Sequence, residues 1–215
     1  MANTHTYPRR EEIANAITHG IGAMLSIAGL VLLIVFSSLK GTAWHVVSFT
    51  IYGVSMLLLY LSSTLVHSFK EGKAKDLFEI FDHSSIYIYI AGTYTPFLLV
   101  AIRGPLGWSL FGVIWGIALA GVVFKAFFVK RFLFMSTFFY LIMGWLIVIA
   151  WGPLTVAVPS EGIVLLVTGG LLYTLGTIFY VWRAFPFHHA IWHLFVLAGS
   201  VTHFFAILLY LLPNW

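Results

Sequence analysis

Long apolar runs alternate with short polar or Pro/Gly-bearing joints along the whole chain. A membrane-spanning helix needs about 20 mainly apolar residues. Seven runs meet that length, at 13–37, 43–68, 77–101, 105–127, 132–151, 162–184 and 187–212. They are separated by "SSLKG", "FKEGKAKD", "IRGPLG", "VKRF", "GPLTVAVPSEG" and "RAFPF", joints in which Pro and Gly end helices. The expected fold is all-α: one seven-transmembrane helix bundle filling residues 1–215 as a single domain. Misreading the fifth and sixth runs would leave six spans. The first run starts near Ile13, is too long for a signal-peptide core and lacks a small-x-small cleavage site. It is expected to be a first transmembrane helix that also targets the chain.

Composition agrees with that pattern. Hydrophobic residues make up 61% of the 215 and charged residues 8%, with a mean hydropathy of +1.00. A soluble domain needs more charge to cover its surface, so a multi-pass protein of the cell membrane is expected. The net charge of +4 and pI near 9.4 would suit nucleic acid, but the distribution of the charges favours the bilayer as partner. With the amino terminus cytoplasmic, Arg9, Arg10, Lys70, Lys73, Lys75, Lys125, Lys130, Arg131 and Arg183 fall inside, and only Lys40 and Arg103 fall outside. That is a strong positive-inside bias, and an odd number of spans then puts the carboxyl terminus outside. Trp44, Trp108, Trp151 and Trp215 fall near outer boundaries, as interfacial aromatics do. The absence of cysteine removes disulfides, thiolate metal sites and cysteine nucleophiles.

Ionisable groups inside spans are costly and mark functional sites by default. Glu12, Asn15 and His19 open the first span on one helical face. Ser63 and His67 close the second, Asp82 follows the start of the third, and His189 and His193 open the seventh. All four positions lie on the cytoplasmic side, within roughly 10 Å of the boundary at 1.5 Å rise per residue. Elsewhere, Pro96 is expected to kink the third span, shaping a cavity or accommodating packing. Gly112 and Gly116 form a GxxxG that reads as helix packing.

Histidines at i and i+4 share a face and can chelate one ion, and His67 completes a three-imidazole set. Without cysteine, Zn²⁺ is the natural metal. Three protein ligands leave a position for water, whose pKa a zinc ion lowers to about 7. Asp82 then suits proton transfer, and Ser63 suits orienting His67 or holding an oxyanion. Plainer readings stand beside these. A membrane histidine often makes only an interhelical hydrogen bond, and Ser63 can bond the carbonyl one turn back. Glu12 can be a helix-terminal charge favoured by the macrodipole, and Asn15 packing glue. His19 is expected beside the ligands, with a fourth-ligand role as the alternative. His203 reads as a hydrogen-bonded core residue, His5 as a tail residue and His45 as an interface residue; His83 and His188 point away from the cluster.

Four motifs in order, "EEIANAITHGIG", "SSTLVH", "FDHSSIYIYIAGTYTPF" and "HHAIWH", resemble those of the hemolysin III family. This is the bacterial branch of the progestin and adipoQ receptor family, which includes the adiponectin receptors. The resemblance covers the whole chain. It implies seven helices with the amino terminus inside, zinc held by His67, His189 and His193, Asp82 contacting the zinc-bound water, and Ser63 close by. The wider superfamily includes alkaline ceramidases, which look like zinc-dependent lipid amidases. The expected function is therefore zinc-dependent hydrolysis of a membrane lipid amide, with the lipid as substrate or ligand. Two alternatives are a hemolysin-type pore-forming, cytolytic protein and a lipid-responsive receptor with structural zinc. The outer half carries mostly Tyr, Thr and Ser, which argues against a constitutive pore. The short loops argue against a receptor. Oligomeric state is not legible in the sequence.

Overall fold

The computed structural model describes residues 7–213, so His5 and Trp215 lie outside the described residues. Every element among those residues is helical. α1 is Arg9–Lys40, α2 Ala43–Ser68 and α3 Lys73–Pro96, the last running on through a π turn, Phe97–Ala101. α4 is Pro105–Phe128 and α5 Leu133–Trp145; a 3-10 turn, Leu146–Ala150, leads into α6, Trp151–Ala157. α7 is Ser160–Val181 and α8 His188–Tyr210. With α5 and α6 forming one span, seven helices among the described residues are long and apolar enough to cross a membrane. The protein is a multi-pass integral membrane protein, and helices suit it because each satisfies its own backbone polar groups in lipid.

Boundaries shift where capping chemistry overrides hydropathy. α1 begins at Arg9, one turn before the apolar run, because Pro8 precedes it and Glu11 and Glu12 sit in its first turn. The fifth span continues past residue 151, so "GPLTVA" is helix rather than joint. Pro96 ends the regular α-helix of α3, and the chain widens into the π turn closed by Ile102 N–H to Phe97 O at 3.1 Å.

Successive spans run antiparallel, α1 packing on α2, α2 on α3, α3 on α4 and α7 on α8, while α8 closes back on α1 parallel to it. α3 is the most enclosed helix. The α2–α3 and α4–α5 joints come together at one end of the bundle, where Lys130 Nζ donates to Asp76 Oδ1 at 2.6 Å. We call this the basic end. Lipid-facing apolar side chains include Leu39, Phe127 and Val156. Gly112 and Gly116 also face outward, with open space where a Cβ would stand. Their GxxxG thus packs no helix within the bundle, contrary to the sequence expectation. Close packing falls instead to Gly22, where an added Cβ would collide with the Tyr60 ring.

Candidate metal centre

At the basic end, the first turns of α1, α3 and α8 and the last turns of α2 bring their polar residues together. His67, His189 and His193 are all buried, and one ring nitrogen from each lies within 4.8 Å of the others. Their backbones come from two helices: i, i+4 spacing aligns His189 and His193 on α8, and His67 projects from the last turn of α2.

The second ring nitrogens show how these imidazoles are held. His67 Nδ1–H donates to Glu12 Oε2 at 2.6 Å. His193 Nδ1–H is shared between Thr18 Oγ1 at 3.0 Å and Asn15 O at 3.2 Å. Each bond fixes a tautomer that leaves Nε2 as the lone-pair nitrogen, the arrangement characteristic of ligating histidines. Glu12 is itself anchored, because Lys75 Nζ donates to Oε1 at 2.5 Å. The Lys75 side chain is 7% exposed and also lies 3.5 Å from Glu71. These three buried imidazoles, two of them held through Nδ1, could hold a metal ion.

The other sequence-selected residues take distinct places. His19 stacks on His193 with ring centroids 3.4 Å apart and packs edge-on to Tyr60, outside the three-nitrogen group. Asn15 is fully buried and contributes its backbone carbonyl, while its side-chain amide has no hydrogen-bond partner among the described residues. Glu12 is more than a helix-terminal charge, since it orients His67. Asp82 is buried beside Ser63 and within electrostatic reach of His67. Both line a cavity that begins at His19, His189 and His193.

His83 and His188 turn elsewhere, as their helical phase requires. His83 Nδ1–H donates to Glu79 O at 2.9 Å and Nε2 accepts from Tyr180 Oη at 3.1 Å. His188 Nδ1–H donates to Phe179 O at 3.0 Å. His45, in the first turn of α2, is buried: Nδ1 receives the Thr42 backbone N–H at 3.1 Å and Nε2–H donates to Leu211 O at 3.0 Å. His203 donates through Nε2 to Leu166 O at 2.9 Å.

Three participants were missed in the sequence. Lys75 reads there as one of a run of loop cations, and Thr18 as one of many span hydroxyls. Tyr7 lies before α1 and stacks on His189, centroids 5.0 Å apart, with His67 6.0 Å away. Burial pushes the pKa of its hydroxyl up. The adjoining Glu11 carboxylate accepts the Phe187 backbone N–H at 3.1 Å, tying the start of α1 to the start of α8.

The profile of haemolysin-III related proteins matches residues 7–204, spanning all the elements that build this centre. The chain belongs to the hemolysin III family. It is 61% identical over 201 residues to the "Hemolysin-3 homolog" of Bacillus subtilis (strain 168), covering 94% of each chain. It is 59% identical over 205 residues to the "Hemolysin-3" of Bacillus cereus, covering 95% of this chain and 94% of that one. A more distant relative is the human "Monocyte to macrophage differentiation factor", 32% identical over 210 residues, or 94% of this chain and 84% of the other. No solved structure gives a significant match.

Proposed function

We propose that this hemolysin III protein is a zinc-dependent hydrolase of a membrane lipid amide, ceramidase-like in chemistry, with its basic end facing the cytoplasm. The observation that carries the reading is the three-imidazole cluster, with two rings locked in the ligating tautomer, opening beside Asp82 and Ser63 into a mainly apolar cavity. Zinc held by His67, His189 and His193 would supply Lewis acidity and activate water near neutral pH. Asp82 takes the proton of the attacking water and delivers it to the departing amine as the C–N bond breaks, leaving a carboxylic acid. Ser63 donates its hydroxyl to the oxygen on which negative charge develops. Leu59, Ile86 and Ile90 in the cavity wall receive the acyl chain and exclude bulk water.

The test is zinc content by elemental analysis, together with turnover of a fluorescent lipid amide by the purified protein in detergent. Native protein and Asp82→Asn should each carry about one zinc per chain, consistent with a three-ligand site, and His193→Ala should lose it. Turnover should fall by about 10²–10⁴ in Asp82→Asn. Full turnover in Asp82→Asn removes Asp82 from the reaction, and no zinc in the native protein ends the hydrolase reading.

The name of the Bacillus cereus relative raises a second reading, cytolysis by pore formation. The end of the bundle opposite the cluster is filled by buried Leu154, Val158, Leu208, Leu211 and Leu212. A conducting path would require these to part, and single-channel recording in planar bilayers tests that directly.

A further inference from the structure

The cavity that starts at the histidine cluster ends against a second polar group. His203 lies ten residues along α8 from His193, about 15 Å at 1.5 Å per residue, and it lines the cavity together with Tyr89 and Tyr173. His203 is 6% exposed. Because Nε2–H donates to the Leu166 carbonyl, its Nδ1 is an acceptor. That nitrogen is buried and has no hydrogen-bond partner among the described residues.

The neighbouring hydroxyls cannot satisfy it, because their protons are already committed. Ser200 Oγ–H donates to Val196 O at 2.9 Å. Ser200 Oγ therefore accepts from Tyr60 Oη at 2.7 Å and from Tyr173 Oη at 3.0 Å. With its proton spent on Ser200, Tyr173 accepts from Tyr89 Oη at 3.1 Å. Thr93 donates to Tyr89 O at 2.8 Å. What this end of the cavity offers a ligand is the acceptor on His203, the protons of these hydroxyls being spent. A carboxylate or phosphate finds no hydroxyl donor here and must point towards the histidine cluster. An uncharged hydroxyl fits, because an unpaired buried acceptor destabilises the site until a donor meets it.

We propose that His203 Nδ1 forms a distal subsite that accepts the hydroxyl of an amphiphile whose polar head lies at the histidine cluster, making a mid-chain hydroxyl a specificity determinant. This rests on the reading of the same cavity as a lipid site. The experiment compares two fatty acids, one carrying a mid-chain hydroxyl and one a methoxy group at the same carbon. Binding to the detergent-solubilised protein is followed by fluorescence of Trp145, Trp151 and Trp192, which line the cavity. The probes differ in the donor hydrogen and one methyl group, so the native protein should prefer the hydroxylated probe by about 5–10-fold, the worth of one hydrogen bond. The preference should shrink to within about twofold in His203→Phe, which has no acceptor. A native ratio near one overturns the subsite and leaves Nδ1 bonded to water only, and so does a preference that persists in His203→Phe. The native comparison alone decides the matter if the variant does not fold. Equilibrium binding needs no turnover: a protein that discriminates the probes but cleaves no lipid amide keeps the subsite and loses the hydrolase reading, while the reverse result does the opposite.

Discussion

Substituting Glu12 by Gln tests whether the carboxylate behind His67 acts through the metal or merely holds two helices together. In the native protein one oxygen accepts from His67 at 2.6 Å and the other from Lys75 at 2.5 Å. Glu12→Gln can keep its carbonyl oxygen on His67, but its amide NH₂ then meets the Lys75 ammonium, donor against donor. Two separable losses follow. His67 loses a charged partner that fixes its tautomer and raises its basicity, for which about 10–100-fold in metal affinity is expected, or about 1.4–2.8 kcal/mol. Lys75, with a side chain 7% exposed, keeps only the more distant Glu71 at 3.5 Å, which costs about 2 kcal/mol in folding stability. Adding Lys75→Met removes the stranded charge, so the double variant should regain thermal stability while its zinc affinity stays low. Zinc affinity is read by competition with a chromophoric chelator, and stability by thermal unfolding in the same detergent. A Glu12→Gln protein that binds zinc within about twofold of native, against the 10-fold minimum expected, would refute the reasoning.

Other expectations follow from the packing. Gly22→Ala, which drives a methyl into the Tyr60 ring, should destabilise the bundle by about 1–3 kcal/mol; Gly112→Ala, facing open space, should be neutral to within about 0.5 kcal/mol or stabilising. Thermal unfolding of the pair checks both. His45→Phe removes the Thr42 cap and the bond to Leu211, and should lower stability by about 1–2 kcal/mol by the same assay. Tyr7→Ala uncovers His189 and should speed chelator-driven zinc extraction severalfold, as followed by stopped-flow absorbance.

The sequence gives depth more reliably than direction. Hydropathy and the rise per residue place Glu12, His67, Asp82, His189 and His193 at one level, and the structure finds them gathered there. Which face of each helix meets which neighbour depends on packing among seven spans, and hydropathy is silent on that. GxxxG therefore reads as an interface although Gly112 and Gly116 face outward. Lys75 shows the same limit: its sequence neighbours Lys70 and Lys73 suggest a solvated loop, yet the first turn of α3 draws it under Glu12. The helix beyond Trp151 was hidden by Gly152 and Pro153, but Pro153 falls in the first turn of α6, where its missing N–H costs nothing. His203 was half legible, since the sequence suggests a bonded core imidazole but cannot show that only one of its nitrogens is bonded.

The order in which the ribosome delivers these pieces imposes a further demand. Glu12, His67, Lys75 and Asp82 belong to the first three spans, whereas His189 and His193 arrive with the last. About 100 residues separate Asp82 from His189, roughly 5–20 s of synthesis at 5–20 residues per second. For that interval the nascent α1–α3 unit must hold a carboxylate pair and an imidazole at the membrane with the last helix still missing. The Glu12–Lys75 ion pair and the Glu12–His67 bond are both complete within this early unit. They let half of the site wait, neutralised and in register, for the helix that closes it.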